Sequence, residues 1–105
     1  MSLKFYQNEP HEAVVQLEGA FDFNTAADIR KELIKIAKIK GLKTLEIDFS
    51  LTSKLDTAGI AVLVEVFRLL RRKGGEFNLV GLNENARQMI RLARLGEVFD
   101  KENQL

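Results

Sequence analysis

An acidic residue and a hydroxyl stand side by side at Asp56 and Thr57, between an apolar run and a long helical pattern. A hydroxyl beside a carboxylate resembles a nucleophile with its base, although an aspartate at a helix start usually accepts hydrogen bonds from the first free backbone N–H groups. Ala58 and Gly59 follow, and such small residues let backbone or a second surface approach closely. We therefore expect the functional surface of the protein at this turn.

Two further aspartates, Asp22 and Asp48, lie beside or within apolar runs. They would form an acidic pocket with Asp56 if the strand ends converged. Separate turn and capping roles explain the three carboxylates more simply. We predict that the chain has no catalytic residues and is not an enzyme.

The sequence contains no pattern for a metal or a nucleotide. His11 is the only histidine and lies in a predicted turn, with no second ligand at motif spacing. Neither Gly-x-Gly-x-x-Gly nor the P-loop pattern occurs, and Gly74-Gly75 follows a helical pattern instead of preceding one. We therefore predict no bound metal and no cofactor.

Charge and hydropathy also limit the partners. The 16 Lys and Arg residues nearly balance the 15 Asp and Glu residues. A basic stripe at Arg87, Arg91 and Arg94 has no aromatic residues among it, so we predict no nucleic-acid partner. No apolar run reaches the roughly 18 residues of a membrane span, and Met1–Phe5 lacks the apolar core of a signal peptide. With cysteine absent as well, we expect a cytoplasmic protein without direct membrane insertion.

Thr57 also has the position of a regulatory hydroxyl. A phosphate at a helix N-terminus meets free N–H groups and the positive end of the helix dipole, so it should leave the fold intact. It would add about −1.5 to −2 charges to the surface and oppose docking of a partner there. Both readings of Thr57, part of a plain helix start or a switch, remain open from the residues alone.

Hydrophobic periodicity predicts the elements that position this turn. Four strands and three helices are expected in the order ββαβαβα within one domain, residues 1–105. Strands Leu3–Gln7 and Ala13–Leu17 form a hairpin that Gly19 closes. A capping box at Thr25 and Asp28 starts the first helix, and Gly41 stops it.

The second half of the chain continues this alternation. Leu45–Phe49 predicts a buried central strand, and Ile60–Lys73 a helix with apolar residues on more than one face. A strand at Phe77–Val80 follows, then a helix capped by Asn83 that runs to Gly96, with Val98-Phe99 extended. Such alternation predicts an α/β fold with a mostly parallel sheet, an antiparallel hairpin at its edge and amphipathic helices packed on it.

Several of these segments together resemble the STAS domain, which sulphate transporters share with bacterial anti-sigma-factor antagonists. The resemblance covers nearly the whole chain. It is carried by Gly19-Ala20-Phe21-Asp22 before the first helix, by the strand Leu45–Phe49, by the turn Leu55-Asp56-Thr57-Ala58-Gly59, by Gly74-Gly75-Glu76-Phe77 and by the closing segment from Leu92 to Phe99.

The resemblance implies a protein that switches partners. In anti-sigma-factor antagonists, a kinase-type anti-sigma factor phosphorylates the residue after the signature Asp, and the unphosphorylated form captures that kinase and frees the sigma factor. By position this role falls on Thr57, although the family commonly has Ser there. The expected partner-binding residues are those of the turn and the nearby loop: Asp22, Asp56, Thr57, Ala58, Gly59 and Ile60.

The small STAS subunit of Mla-type phospholipid-transporting ABC complexes is a second relative by resemblance. It carries the same Asp-Thr-Ala-Gly sequence found here at residues 56–59. There the domain binds the cytosolic ATPase of the transporter, and the threonine contributes to that contact. The resemblance therefore implies either a kinase-type anti-sigma factor or an ABC transporter ATPase as the partner.

Overall fold

The computed structural model describes residues 1–95, so the predicted helix end at Gly96 and the extended Val98-Phe99 lie outside the described residues. Within residues 1–95 the elements are β1 (Ser2–Glu9), β2 (Glu12–Phe21), α1 (Ala26–Ala37), β3 (Thr44–Leu55), α2 (Thr57–Arg72), β4 (Glu76–Val80) and α3 (Glu84–Leu92). The strands form one sheet in the order β1-β2-β3-β4. Only the β1–β2 pair is antiparallel in the described sheet, which confirms the predicted α/β class.

β2 runs further than its sequence pattern indicates. Ala13, Val15 and Leu17 alternate into the core, whereas Val14 between them is half-buried. Gly19, however, does not close the hairpin, because the strand continues to Phe21. The register against β3 shifts directly after Gly19, whose φ is +99°. Glycine tolerates this left-handed conformation, so the strand passes the irregularity and brings Phe21 opposite Leu55.

The start of α1 differs from the predicted capping box. The Thr25 hydroxyl makes no capping hydrogen bond to the helix. It accepts instead from the Asp22 N–H at 3.0 Å and donates to the Ala20 carbonyl at 2.8 Å, because it faces the end of β2. α1 ends at Ala37, and Gly41 reverses the chain later, with a φ of +84°.

β3 and α2 supply the centre of the core. Leu45, Ile47 and Phe49 are buried as predicted, but β3 extends to Leu55. The breadth of the apolar surface on α2 reflects burial, since six of its residues are buried: Gly59, Ile60, Val62, Leu63, Val66 and Leu70.

α3 starts as predicted. The Asn83 side chain accepts a hydrogen bond from the Ala86 N–H at 2.8 Å, and Ala86 and Ile90 face the core. No helix within residues 1–95 is both long and apolar enough to cross a membrane.

Candidate functional site

One carboxylate, that of Asp56, joins two segments at the carboxyl ends of β2 and β3. Its backbone is extended between the end of β3 and the first residue of α2. Oδ1 accepts hydrogen bonds from the N–H groups of Ala58 at 2.9 Å and Gly59 at 3.2 Å. Oδ2 accepts from the N–H of Phe23 at 3.0 Å. The side chain therefore caps α2 and fastens the β2–α1 loop to it.

These hydrogen bonds also stabilise the ionised form of the Asp56 carboxyl group. Burial alone would raise the pKa of its carboxyl group. The N–H groups of Gly59, Phe23 and Ala58, with the positive charge of Lys54, outweigh burial and hold the pKa below its ordinary value of 3.8. Asp56 is consequently ionised at neutral pH, and its negative charge lies at the amino end of α2.

The loop that Asp56 fastens is itself tightly hydrogen-bonded. Asp22 is 9% exposed, and its backbone carbonyl accepts from the N–H groups of Thr25 and Ala26. Its Oδ1 accepts from the N–H of Asn24 at 2.9 Å. Lys54 approaches the other oxygen at 3.9 Å but is largely exposed, so this ion pair contributes little. Asp22 thus shapes the loop beside the turn.

The residues of the turn differ in exposure. Thr57 is exposed as the first residue of α2, and Ala58 and Asp56 are half-buried. Gly59 and Ile60 are buried. They lie beneath the surface that Thr57 presents, and their part in binding a partner stays a prediction.

Gly59 shows why a small residue is needed under this surface. A Cβ at this position would lie 2.8 Å from the Phe21 carbonyl oxygen and 2.8 Å from Leu55 Cδ1. The close approach is therefore made by the chain's own strands, β2 and β3, which fix the start of α2 against the sheet.

A groove of about 440 Å³ adjoins Asp56 between the end of β3 and α3. Leu55, Met89 and Leu92 contribute apolar surface to it. Leu92 is 77% exposed, and Phe23, on the loop that Asp56 holds, is 81% exposed. Sequence patterns do not distinguish such residues from core residues, because exposure depends on how the elements pack. The only signal for Phe23 is an aromatic residue placed between polar ones.

Comparison of the chain with known proteins agrees with this architecture. Residues 3–105 match the sequence model of the STAS domain. This chain belongs to the STAS domain family. The anti-sigma-B factor antagonist of Listeria monocytogenes is 24% identical over 103 residues, which cover 98% of this chain and 90% of that protein. The anti-sigma-B factor antagonist of Bacillus subtilis is 28% identical over 94 residues, which cover 90% of this chain and 84% of that protein.

Solved structures show the same STAS fold. The anti-sigma factor antagonist SpoIIAA in its unphosphorylated form matches with a TM-score of 0.82 at 18% identity, over 93% of this chain and 85% of that one. SpoIIAA of Bacillus in the phosphorylated form matches with a TM-score of 0.75 at 18% identity, over 93% of this chain and 88% of that one.

The three aspartates do not form one acidic pocket in this STAS domain. Asp48 accepts hydrogen bonds from the Ser50 N–H at 2.8 Å and from Gln16 Nε2 at 3.4 Å. It pairs with Gln16 on β2, whereas Asp56 follows the pair of Phe21 and Leu55. Along β2, Gln16 and Phe21 are five residues apart, so roughly 16 Å of strand separates the position of Asp48 from that of Asp56. Asp22 and Asp56 are brought together, and Asp48 is not.

His11 of the STAS domain lies on the exposed β1–β2 turn. Its Nε2 is 3.3 Å from a Glu9 carboxylate oxygen and 3.4 Å from one of Glu12. All three side chains are about half exposed or more. We assign no metal to this exposed cluster.

Proposed function

We propose that this STAS protein is an anti-sigma-factor antagonist that binds a kinase-type anti-sigma factor through the start of α2. Phosphorylation of Thr57 would release the anti-sigma factor from this surface. The observation that carries the proposal is the exposed position of Thr57 at the first residue of α2, beside the Asp56 cap. Similarity to anti-sigma-B factor antagonists along nearly the whole chain supports this role. In this proposal the chain acts as a single domain in the cytoplasm, and as a binding protein without catalysis.

The arrangement of Asp56 suits a switch in binding. Its Oδ1 already accepts from the N–H groups of Ala58 and Gly59, so a phosphate on Thr57 would find these donors occupied. The phosphate would therefore face solvent or the partner. With the Asp56 charge beside it, the turn would carry roughly −2.5 to −3 charges before the nearby Lys54 is considered. Burying such a charge in an interface is costly, so docking should weaken while the fold persists.

Phosphorylation of the purified protein tests this proposal. The protein is incubated with ATP and with purified kinase-type anti-sigma factors of the source organism, one at a time, and its intact mass is measured. We expect one added phosphoryl group on the wild type and on Thr57→Ser, and none on Thr57→Ala. An unmodified wild type, or equal modification of Thr57→Ala, would contradict the role of Thr57.

A second candidate function is that of an accessory subunit of an Mla-type ABC transporter. It is favoured by the order Asp-Thr-Ala-Gly at residues 56–59, with Thr where antagonists commonly have Ser. The same surface would then bind the cytosolic ATPase without accepting phosphate. Stable co-purification with that ATPase, with no mass change in the presence of ATP, would favour this function.

A further inference from the structure

Phe23 is the most exposed large apolar side chain in the described part of the chain, at 81%. A single exposed apolar residue is ordinary on a protein surface. Phe23 is distinguished by its location, because its N–H donates to the same Asp56 carboxylate that caps α2. The ring and Thr57 therefore belong to segments held by one side chain.

The backbone under the ring is fixed. The consecutive N–H groups of Asp22, Phe23 and Asn24 donate to side-chain oxygens at 3.0, 3.0 and 2.9 Å. The acceptors come from three different residues, Thr25, Asp56 and Asp22. A loop constrained in this way pays little ordering entropy when a partner binds it. An aromatic ring presented on a rigid loop is the usual form of an energetic anchor in an interface.

We infer that Phe23 is the apolar anchor by which the anti-sigma factor docks on this surface, with the ring entering an apolar pocket of that protein beside the site that receives Thr57. This inference rests on the proposed function. Asp56 acts here as a positioning residue, because it fixes the Phe23 loop relative to the start of α2. The phosphate acceptor and the anchor are then separate, so Phe23 should govern affinity and not phosphoryl transfer itself.

Replacement of the ring tests the anchor. For Phe23→Ala we expect binding to the purified kinase-type anti-sigma factor to weaken about 30-fold, the loss expected for a hot-spot residue. The KM for phosphorylation of the protein should rise similarly, with kcat within about twofold of wild type, because the lost contact is the same in the ground and transition states. Phe23→Leu should retain more binding than Phe23→Ala, because it keeps apolar surface at this position without adding a polar group to the pocket.

Phe5→Ala is the matched control. Phe5 is 40% exposed on β1 and pairs with Val15, six residues before Phe21 on β2. The Phe5→Ala variant should bind the anti-sigma factor and be phosphorylated like wild type. Thermal melts of both variants show whether the fold is intact, and Phe23→Ala should melt close to wild type because its ring packs little.

The outcomes separate the two proposals. If the wild type binds and is phosphorylated on Thr57 while folded Phe23→Ala behaves identically, the inference that Phe23 is the anchor is wrong and the proposed function stands. If the wild type neither binds nor is phosphorylated by any of these anti-sigma factors, both proposals are wrong. An equal loss in Phe5→Ala would also contradict the anchor, since the effect would not be specific to the Asp56 loop.

Discussion

At the scale of single residues, the ionised carboxylate of Asp56 joins the start of α2 to the neighbouring loop, because it accepts hydrogen bonds from both segments. The folded protein lowers the pKa of this carboxyl group below 3.8, so folding favours the ionised form. The resulting stabilisation is fully present above the unfolded pKa, near 3.8, and is lost as the pH falls through the lower folded pKa.

We therefore expect Asp56→Ala to lower the free energy of unfolding by about 1 kcal/mol at pH 7, the usual loss for a helix cap. The difference from wild type should shrink as the pH falls below 3.8. Urea denaturation of both proteins across this range measures it. Asp56→Asn serves as the control, because it keeps a capping oxygen without the charge. A difference independent of pH would mean that the ionised carboxylate is not the cause.

Thr57 is the residue at which a charge should affect binding and not stability. An acid in the first helical turn is favoured by about 0.3–1 kcal/mol, and repulsion from Asp56 offsets part of this. We expect Thr57→Glu to unfold within about 0.5 kcal/mol of wild type in urea. Its affinity for the partner should nevertheless fall at least tenfold in a binding titration.

Thr57→Gln is the matched control for size, since it has nearly the same shape without the charge. It should bind more tightly than Thr57→Glu. A loss of more than about 2 kcal/mol of stability in both variants would show that the position depends on packing, and its use as a switch would then be wrong.

At the scale of elements, the start of α2 is set by its contact with the sheet. Gly59 has no room for a Cβ, because the Phe21 carbonyl and the Leu55 side chain are each 2.8 Å from that point. Ala is the better helix former by about 1 kcal/mol, but overpacking usually costs about 1–3 kcal/mol. We expect Gly59→Ala to destabilise the protein by about 1 kcal/mol or more in urea denaturation.

Ala61→Ser adds one atom on the exposed side of the same helix and serves as the control. It should change stability by less than about 0.5 kcal/mol. If Gly59→Ala were more stable than wild type, helix propensity would outweigh the contact with Phe21. The start of α2 would then be able to move relative to β2.

The same elements show how far sequence patterns reach. The alternation at Leu45, Ile47 and Phe49 and the helical spacing on α2 are repeated signals, and they predict the order and class of elements. The ends of β2 and β3 are not predicted, because the register between the two strands shifts between Gln16 and Glu18 and again between Gly19 and Ala20, which interrupts the alternation. The predicted capping role of the Thr25 hydroxyl is also wrong, because this group bonds to the Asp22 N–H and the Ala20 carbonyl and not to the first turn of α1.

At the scale of the whole molecule, the parallel pairing of β2 and β3 brings their carboxyl ends to one edge of the sheet. The loop after Phe21 and the turn after Leu55 therefore meet, which is the usual place for a site in an α/β fold. Element order alone predicts this meeting and the part of Asp56 as the cap of α2. It does not predict the bond from the Phe23 N–H to Asp56 or the exposure of the ring, because these depend on loop geometry.

This arrangement predicts a footprint for the partner. Amide hydrogen exchange, measured with and without the purified anti-sigma factor, should slow in the loop 22–25 and the helix start 57–60. Exchange in β1 should not change, because that strand lies at the sheet edge two strands from β3. Thr57→Glu at the same concentrations should show no such protection, since its affinity is reduced. Protection confined instead to the exposed side of α2 near Glu65 and Arg68 would place the partner on another surface, and the proposed site at Thr57 would be wrong.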